Sequence, residues 1–359
     1  MSLRRIATDK IVVFDATGDY GVENRLFDPD VVTERHGRAA CYLYEECLKH
    51  GLQLLTTDLY FSLPDRPKRA IFIRNSATVS KEKELLASGV HPAALFGFEH
   101  PLYACRFYWN LEHHTRPYDH VFMPSGARTK VSPVTKFHGW VSPQAFPRDT
   151  RVVPNFRGRK HLVMISGNAR LHPLKRLYVH VMNRLDPLPT LADRELYLDR
   201  LEAIRYFSQF SNFDLYGRGW ERPVRYTSGR YAPFIRRAYR GEVADKMPIL
   251  KQYRFSICFE NAIFGGWITE KIIDSLFAGC IPVYWGAPDV TDYIPAEVFI
   301  DFRNFKNYQE LDAYLRNIDE KTYRGYIANI NDFIASGYDR FSQEKYAEDM
   351  VRLLSSYFS

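Results

Sequence analysis

An acid and a base, Glu270 and Lys271, stand side by side where a helix is expected to begin. The positive end of a helix dipole disfavours a cation in the first turn, so Lys271 requires an anion opposite it. A second cation, Arg194, follows a capping-box pattern of Thr190 and Asp193, which predicts the first turn of another helix. Cations at two positive helix ends would bind an anion, for which a diphosphate is the natural occupant. The alternative is that both side chains extend into solvent.

Neighbouring residues would complete a site for a sugar nucleotide. Gly265 and Gly266 allow close approach of the backbone to a ligand, and Trp267 can form a wall beside a sugar or a base. Asn261, at the end of an apolar run, offers a donor and an acceptor to a hydroxyl. Glu270 suits a helix N-terminus as an acid, and its carboxylate could equally hold a sugar hydroxyl or face a developing positive charge.

Short apolar runs alternate with amphipathic helical patterns through both halves of the chain, which is typical of two Rossmann-like units. Strands are predicted at IVVF, LQLL, AIFI, ALFGF and HVFM in the first half and at LVMIS, FDLYG, FSICFEN, IPVYWG and VFID in the second. A Pro-, Gly- and Arg-rich stretch places the linker near Pro154. The predicted domains are therefore 1–154 and 155–340, followed by a C-terminal helix over 341–359.

Composition narrows the class of protein. The 359 residues exceed one typical domain, and an apolar content of 46% is that of a soluble globular chain. The five cysteines are odd in number and unclustered, which argues against a disulfide framework and for a reducing compartment. The first residues contain no apolar stretch long enough for a signal or membrane helix. We therefore predict a cytoplasmic protein.

The formal net charge of +7 is concentrated in one segment, residues 218–240. Seven arginines interleaved with aromatic residues face a single acid, Glu221: Arg218, Arg222, Arg225, Arg230, Arg236, Arg237 and Arg240. One interpretation is a solvated loop; the other is a surface for an acceptor or for an anionic membrane, which would make the protein peripheral at the inner face of that membrane.

The stretch FENAIFGGWITEKIIDSLFAGCIPVYWGAPDVTDYIP resembles the signature of glycosyltransferase family 10, the α-1,3/4-fucosyltransferases, of the bacterial type. The resemblance implies a GT-B fold with two Rossmann-like domains facing across a cleft, a GDP-fucose donor and inversion at the anomeric carbon. In the family's pattern the donor contacts fall on Asn261, Trp267, Glu270 and Lys271, and the arginine that grips the diphosphate on Arg194. The family more often has tyrosine at the position of Trp267.

An upstream stretch, FGFEHPLYACRFYWNLEHHTRPYDHVFMPSG, resembles the family's E-S-P element and the strand that follows it. This resemblance places the catalytic glutamate at Glu99, in the domain implied to bind the acceptor, with His100 where the family has a small residue. Inversion needs such a base in any case, to take the proton of the acceptor hydroxyl. The alternative is that Glu99 caps a turn beside Pro101.

Metal ligands are weakly represented. Asp28 and Asp30 form an Asp-x-Asp, but Asp30 precedes a helical pattern and is interpreted as its N-cap. His113 and His114 lack the spacing of zinc ligands. We therefore predict that no metal or other cofactor is required.

Three functions are compatible with these observations. The first is transfer of fucose from GDP-fucose to a hydroxyl of a glycan acceptor. Lipid-linked and membrane-associated glycans are included among the candidate acceptors. The second keeps the fold and GDP but uses another GDP-deoxyhexose. The third is nucleic-acid binding through residues 218–240, which no recognisable motif supports; we expect no nucleic-acid partner.

Overall fold

The structure is a computed structural model that describes residues 9–16, 18–32, 37–67, 69–77, 80–147, 149–153, 155–169, 171–185, 194–221 and 230–359. The chain divides into two compact units. Unit 1 comprises Met1–Phe146, Val179–Leu191 and Asp339–Ser359, and unit 2 comprises Pro147–Tyr178 and Ala192–Tyr338. The first boundary lies at Phe146, whereas the sequence pattern placed it near Pro154, which lies outside the described residues.

Unit 1 is built on a parallel six-stranded sheet in the order β2-β1-β3-β4-β5-β6. The strands are β1 (Ile11–Asp15), β2 (Gln53–Thr56), β3 (Ile71–Arg74), β4 (His91–Phe96), β5 (His120–Met123) and β6 (Lys136–Gly139). Val12 lies opposite Leu54 of β2 and Ile71 of β3, and all three side chains are buried. Continuous apolar runs suit these strands because a parallel sheet is covered on both faces.

The helices between these strands are mostly short. They are α1 (Arg38–Lys49), α2 (Thr57–Phe61), α3 (Glu82–Ala87), α4 (Cys105–Trp109) and α5 (Leu111–Thr115). Helix α1 buries Ala39, Leu43 and Cys47 on one face, and Cys41 is buried as well. It begins at Arg38 after Gly37, so the expectation that Asp30 is its N-cap was wrong; Asp28 Oδ1 instead accepts the Asp30 backbone N–H at 2.9 Å, which closes a local turn.

Unit 2 carries a parallel five-stranded sheet in the order β13-β12-β10-β7-β9 and an antiparallel pair, β8 with β11. The strands are β7 (Lys160–Ile165), β8 (Arg194–Glu195), β9 (Phe213–Tyr216), β10 (Tyr253–Phe259), β11 (Ala262–Ile263), β12 (Ile281–Trp285) and β13 (Ile300–Asp301). Strand β10 lies in the middle of the sheet and is buried except at Arg254. The β10 carboxyl end therefore leads directly into Glu260 and Asn261.

Unit 2 contains α6 (Pro173–Leu185, continuing into the segment assigned to unit 1), α7 (Tyr197–Phe207), α8 (Ala232–Ala238), α9 (Lys246–Leu250), α10 (Glu270–Phe277), α11 (Tyr308–Asn317) and α12 (Glu320–Ser336). Short 3-10 turns occur at Arg25–Phe27, Ser125–Lys130, Val290–Asp292, Ala296–Val298, Phe302–Asn304, Tyr338–Phe341 and Ser356–Phe358. Helix α10 buries six of its eight residues beside the central strands.

The last helix, α13 (Gln343–Ser355), belongs to unit 1 although it follows all of unit 2 in the chain. Ala347, Met350, Val351 and Leu354 of α13 lie in the same buried cluster as Leu43 and Cys47 of α1 and Val12 and Phe14 of β1. Asn331 of α12 is joined by two hydrogen bonds to the Val152 backbone, which fixes the start of unit 2.

The ten predicted strands are all present, and the α/β class is confirmed. The short strands β6, β8 and β11 were not predicted because their residues form no apolar run of the kind that marks the other strands. All five cysteines lie within the described part of the chain and are buried and free. Among the described residues no helix is long and apolar enough to cross a membrane.

Candidate functional site

Helix α10 begins at Glu270 with Thr269 as its N-cap, so the predicted position of Lys271 in the first turn is confirmed. The Thr269 side chain does not cap the helix itself. Instead, the Thr269 backbone N–H donates to Glu260 Oε1 at 2.9 Å, and its hydroxyl donates to the same carboxylate at 2.9–3.0 Å. A carboxylate from the end of β10 thus complements the positive end of α10.

The same carboxylate is the anion opposite Lys271. Lys271 Nζ lies 3.2 Å from Glu260 Oε2 and 2.9 Å from Thr269 Oγ1. The Glu260 side chain is 0% exposed and that of Lys271 is 16% exposed, so the pair is shielded from water on the Glu260 side. Sequence reasoning inferred that an anion was required but missed that the chain supplies one. The available signal was an acid at the end of a buried strand, directly before Asn261.

Gly286 makes room for Glu260. The Glu260 backbone N–H donates to the Trp285 carbonyl at 2.8 Å, which brings the end of β12 against the carboxylate. A Cβ on Gly286 would overlap the Glu260 side chain and lie 2.6 Å from Tyr284 Oη. Contacts of that length do not occur between real Cβ atoms and their neighbours, so only glycine fits without displacing the buried carboxylate.

Glu270 lies closer to Lys246 than to the adjacent Lys271, whose Nζ is 4.0 Å from Glu270 Oε1. Glu270 Oε1 accepts from Lys246 Nζ at 2.8 Å, and Lys246 also donates to Asp274 Oδ2 at 3.2 Å. Burial alone would lower the pKa of Lys246, but these two carboxylates outweigh it and hold that pKa above its ordinary value. Lys246 was not singled out in the sequence because it lies on a separate five-residue helix, α9.

Asn261 is oriented by a buried arginine. Arg200 of α7 is 4% exposed, and its Nη2 donates to Asn261 Oδ1 at 2.9 Å and to the Phe259 carbonyl. With Oδ1 accepting from Arg200, the Asn261 amide N–H₂ group remains the donor end of that side chain. Sequence reasoning missed Arg200, although a charged residue between the buried Tyr197 and Leu201 indicates an internal partner.

Arg194 does not lie in a helix. It forms β8 with Glu195, and α7 begins only at Tyr197, so the predicted first-turn position was wrong. The two capping-box residues, Thr190 and Asp193, lie outside the described residues. The pairing of β8 with β11 overrides the local helix signal, because Arg194 is opposite Ile263 in that ladder.

The β8 ladder nevertheless brings Arg194 to the same edge as Asn261. The Leu196 backbone N–H donates to the Asn261 carbonyl at 2.9 Å. The Arg194 guanidinium forms an ion pair with Asp199 and lies 5.1 Å from the centroid of the Trp285 ring. Burial raises the pKa of Asp199 although Arg194 opposes that shift. The Arg194 side chain is 55% exposed and can therefore reach a ligand by exchanging its partner.

Trp267 lies in the loop between β11 and α10 and is half-buried. Gly266 adopts a φ of 68°, the left-handed region that favours glycine, and its N–H donates to Asp289 Oδ1 at 2.7 Å. The Trp267 N–H then donates to the Phe264 carbonyl at 3.1 Å. The loop is thus held as a defined turn that carries Trp267 beside the start of α10.

In unit 1, Glu99 lies just after β4 and is half-buried. Its Oε1 accepts from Ser76 Oγ at 2.8 Å and its Oε2 from the Ala77 N–H at 2.9 Å. The Glu99 carbonyl accepts from Tyr108 Oη at 3.1 Å, and burial raises the pKa of that phenol. The neighbouring His100 is buried and accepts the Leu102 N–H on Nδ1 at 3.1 Å, so it stabilises the turn.

The loop after β3 joins Glu99 to a second carboxylate, Asp15, at the end of β1. The Asn75 N–H donates to the Asp15 carbonyl at 2.9 Å, and the Lys81 N–H donates to Asp15 Oδ2 at 3.1 Å. Ser80 Oγ also donates to Asp15, which is 1% exposed. Beside this network lies a cavity of about 200 Å³ at the carboxyl ends of β1 and β2.

Asp58 forms part of the wall of that cavity. Its Oδ2 accepts the Glu23 N–H at 2.9 Å, whereas its buried Oδ1 has no hydrogen-bond partner among the described residues. A buried acceptor without a donor is costly, so Asp58 Oδ1 is suited to receive a donor from a molecule that enters the cavity. Hydroxyl groups are donors of this kind.

The arginines of residues 218–240 are only partly described. Arg222 and Arg225 lie outside the described residues. Of the others, Arg240 pairs with Asp214 at 2.7 Å, Arg230 lies 3.7 Å from Glu202 and Arg218 lies 3.8 Å from Glu242. These three charges are matched by acids distant in sequence, which composition of the segment alone could not reveal.

Within the described residues no group of three or more histidine, cysteine, aspartate or glutamate side chains could hold a metal ion. His114 stacks on Phe107, with ring centroids 4.9 Å apart, and burial lowers its pKa. His113 lies edge-on to His114.

The match to a family model lies mostly in unit 2 and extends into α13. Residues 191–350 match the family model described as glycosyltransferase family 10 (fucosyltransferase), C-terminal region. A segment of 82 residues, 23% of this chain, is 39% identical to the alpha-(1,3)-fucosyltransferase FucT of Helicobacter pylori and spans 17% of that protein. A segment of 172 residues, 47% of this chain, is 28% identical to GDP-fucose protein O-fucosyltransferase 3 of Bos taurus and spans 33% of it.

Among solved structures, Anabaena Alr3699/HepE in complex with UDP is similar with a TM-score of 0.52 over 97% of this chain and 100% of that one. The two sequences are 13% identical, so the likeness concerns the fold alone. With its two parallel, Rossmann-like sheets, the chain has the GT-B type of α/β fold that the sequence predicted.

Proposed function

We propose that the chain is an inverting, GDP-fucose-dependent transferase that moves fucose to a hydroxyl of a glycan acceptor, on the premise that residues 191–350 match the model of glycosyltransferase family 10. The observation that carries the proposal is the grouping of Arg194, Asn261 and Lys271 at one edge of unit 2. Each of these side chains has a side-chain partner within unit 2, and each has a polar group suited to a sugar diphosphate.

The roles follow from the contacts. Lys271 and Arg194 would hold the diphosphate by exchanging part of their present pairing with Glu260 and Asp199 for phosphate oxygens. Because negative charge on the diphosphate grows as the bond to the sugar breaks, both cations stabilise the leaving group most at the transition state. The remaining donor contacts would be made by Asn261, Trp267 and Glu270, with Trp267 as a wall beside the sugar or the base.

Glu99 would act as the general base. Its carboxylate takes the proton of the acceptor hydroxyl while that oxygen attacks the anomeric carbon and the bond to GDP breaks on the opposite face of the sugar. The half-buried position after β4 supports this role, since the carboxylate is fixed by Ser76 and Ala77 and yet partly accessible. The glycan would enter through unit 1. There, Asp58 Oδ1 in the cavity wall could accept a hydrogen bond from one of its hydroxyls.

The proposal that the protein binds GDP is tested by ligand-induced stabilisation. A ligand that binds the native state raises the unfolding temperature by mass action, so GDP is expected to raise it and UDP and ADP are not. Incubation with GDP-fucose, GDP-mannose and other GDP-deoxyhexoses, followed by mass spectrometry, then identifies the sugar, since slow hydrolysis reveals the donor even without an acceptor. Equal stabilisation by UDP would contradict the GDP assignment, and turnover of another GDP-deoxyhexose alone would favour the second candidate donor.

We also propose that sugar transfer requires no metal ion, and a separate experiment tests this. Arg194 and Lys271 supply the positive charge that a divalent cation supplies in other sugar-nucleotide transferases. Transfer measured in EDTA is therefore expected to match transfer without it. Loss of activity in EDTA that added Mn²⁺ or Mg²⁺ restores would overturn the metal-free account.

We further propose a cytoplasmic enzyme whose glycan acceptor is displayed at a membrane or linked to a lipid, without a nucleic-acid partner. Salt-dependent binding of RNA or DNA with no response to GDP would favour the nucleic-acid alternative instead.

A further inference from the structure

Helix α6 presents a stripe of large apolar side chains to solvent. The exposed fractions are 71% for Leu174, 59% for Leu177, 44% for Val181 and 67% for Leu185. Spacings of three, four and four residues place these side chains on one face of a helix. Scattered exposed leucines are common on soluble proteins, but an aligned set on one helix marks an interaction surface.

The opposite side of α6 contacts the protein. Val179 is the most buried residue of the helix, with 7% of its surface exposed. At about 100° per residue, Val179 lies about 140° around the helix axis from Leu174. The apolar stripe therefore lies on the side of α6 away from its most buried residue.

All the charged side chains of α6 are basic: Lys175, Arg176 and Arg184. Arg176 forms an ion pair with Glu195. Lys175 and Arg184 lie about 100° and about 80° to either side of Leu174, which places one cation on each flank of the stripe. An apolar face flanked by cations is the pattern of helices that lie in the headgroup region of a bilayer.

We propose that α6 binds the surface of a membrane that contains anionic lipids, with the stripe of Leu174, Leu177, Val181 and Leu185 at the level of the upper acyl chains and with Lys175 and Arg184 at the lipid phosphates. Charge complementarity selects this occupant. A second copy of the chain packing α6 on α6 would bring two purely basic helices together, whereas anionic headgroups match that charge. This surface does not depend on the transferase activity.

The test is co-sedimentation of the full chain with vesicles of phosphatidylcholine alone or mixed with phosphatidylglycerol. The parent is expected to bind the mixed vesicles, and the variant Leu174→Ser/Leu177→Ser/Leu185→Ser to bind them at least about tenfold more weakly, since each serine removes apolar area from the bilayer. A matched control, Leu48→Ser/Val134→Ser/Val153→Ser, changes three similarly exposed residues elsewhere and should bind like the parent.

A second variant, Lys175→Gln/Arg184→Gln, keeps the stripe and should lose the preference for phosphatidylglycerol together with the salt dependence of binding. Unfolding temperatures of all variants, measured without vesicles, report whether each remains folded; the replaced leucines are exposed, so they should match the parent. The proposal is overturned if the parent does not bind the vesicles that contain phosphatidylglycerol, or if the serine variant binds them equally well. It is also overturned if the stripe instead mediates concentration-dependent dimers that the serine variant abolishes.

Discussion

Replacing Glu99 by glutamine is expected to slow sugar transfer by about two to four decades and to leave the affinity for GDP nearly unchanged. The glutamine cannot take the proton of the acceptor hydroxyl, but it preserves the shape of the side chain. Its amide oxygen can still accept the Ala77 N–H, and its amide nitrogen can donate to the Ser76 hydroxyl, which reverses its role. Single-turnover rates and GDP titrations measure the two quantities independently.

The matched control for this variant is Ser76→Ala. It removes one hydrogen bond to the Glu99 carboxylate at 2.8 Å but leaves the base in place, so we expect a loss of about tenfold or less. A Glu99→Gln protein that transfers sugar at the parental rate would show that Glu99 is not the base. A variant that loses GDP binding as well would assign Glu99 a structural or donor-binding role.

Replacing Lys271 by methionine is expected to lower the unfolding free energy by about 3 kcal/mol and to weaken GDP binding and transfer together. The stability loss arises because Glu260, which is 0% exposed, would lose the cation with which it is paired. The two Thr269 donors remain, which places the loss at the lower end of the range for broken buried pairs. Denaturant unfolding and GDP titration of the same preparation give both effects.

The double variant Glu260→Gln/Lys271→Met separates the structural role of Lys271 from its role toward a ligand. Removing both charges eliminates the unpaired buried carboxylate, so most of the lost stability should return. The affinity for GDP should not return, because the cation that meets the diphosphate is still missing. If GDP binding recovers together with stability, Lys271 serves only to neutralise Glu260, and its assignment to the donor site is wrong.

The strands and the helix start at Glu270 could be predicted because their signals are local. Apolar runs such as those at Ile11 and Ile281 have neighbours of the same kind on both sides in a parallel sheet, so their burial follows from composition. The residues that orient the site could not be predicted in the same way. Arg200 and Asn261 are 61 positions apart in the chain, and only the fold shows that one donates to the other.

For Arg194, the local sequence pattern predicted the wrong backbone conformation. A capping-box pattern favours a helix start, but a two-residue ladder with β11 holds Arg194 and Glu195 in extended backbone. The difference matters for function, because the extended form connects Arg194 to the Asn261 segment. As a result, a strand positions one cation, Arg194, and the start of a helix positions the other, Lys271.

The position of α13 has a consequence for biosynthesis. Residues 343–355 complete the core of unit 1 around Leu43 and Val12, but they emerge from the ribosome after all of unit 2. N-terminal domains usually fold first during translation, but here we expect unit 2 to complete its fold before unit 1. Until α13 is synthesised, part of the apolar surface of unit 1 stays uncovered. During that interval the growing chain is a candidate client for chaperones, and the delay lasts as long as the synthesis of unit 2.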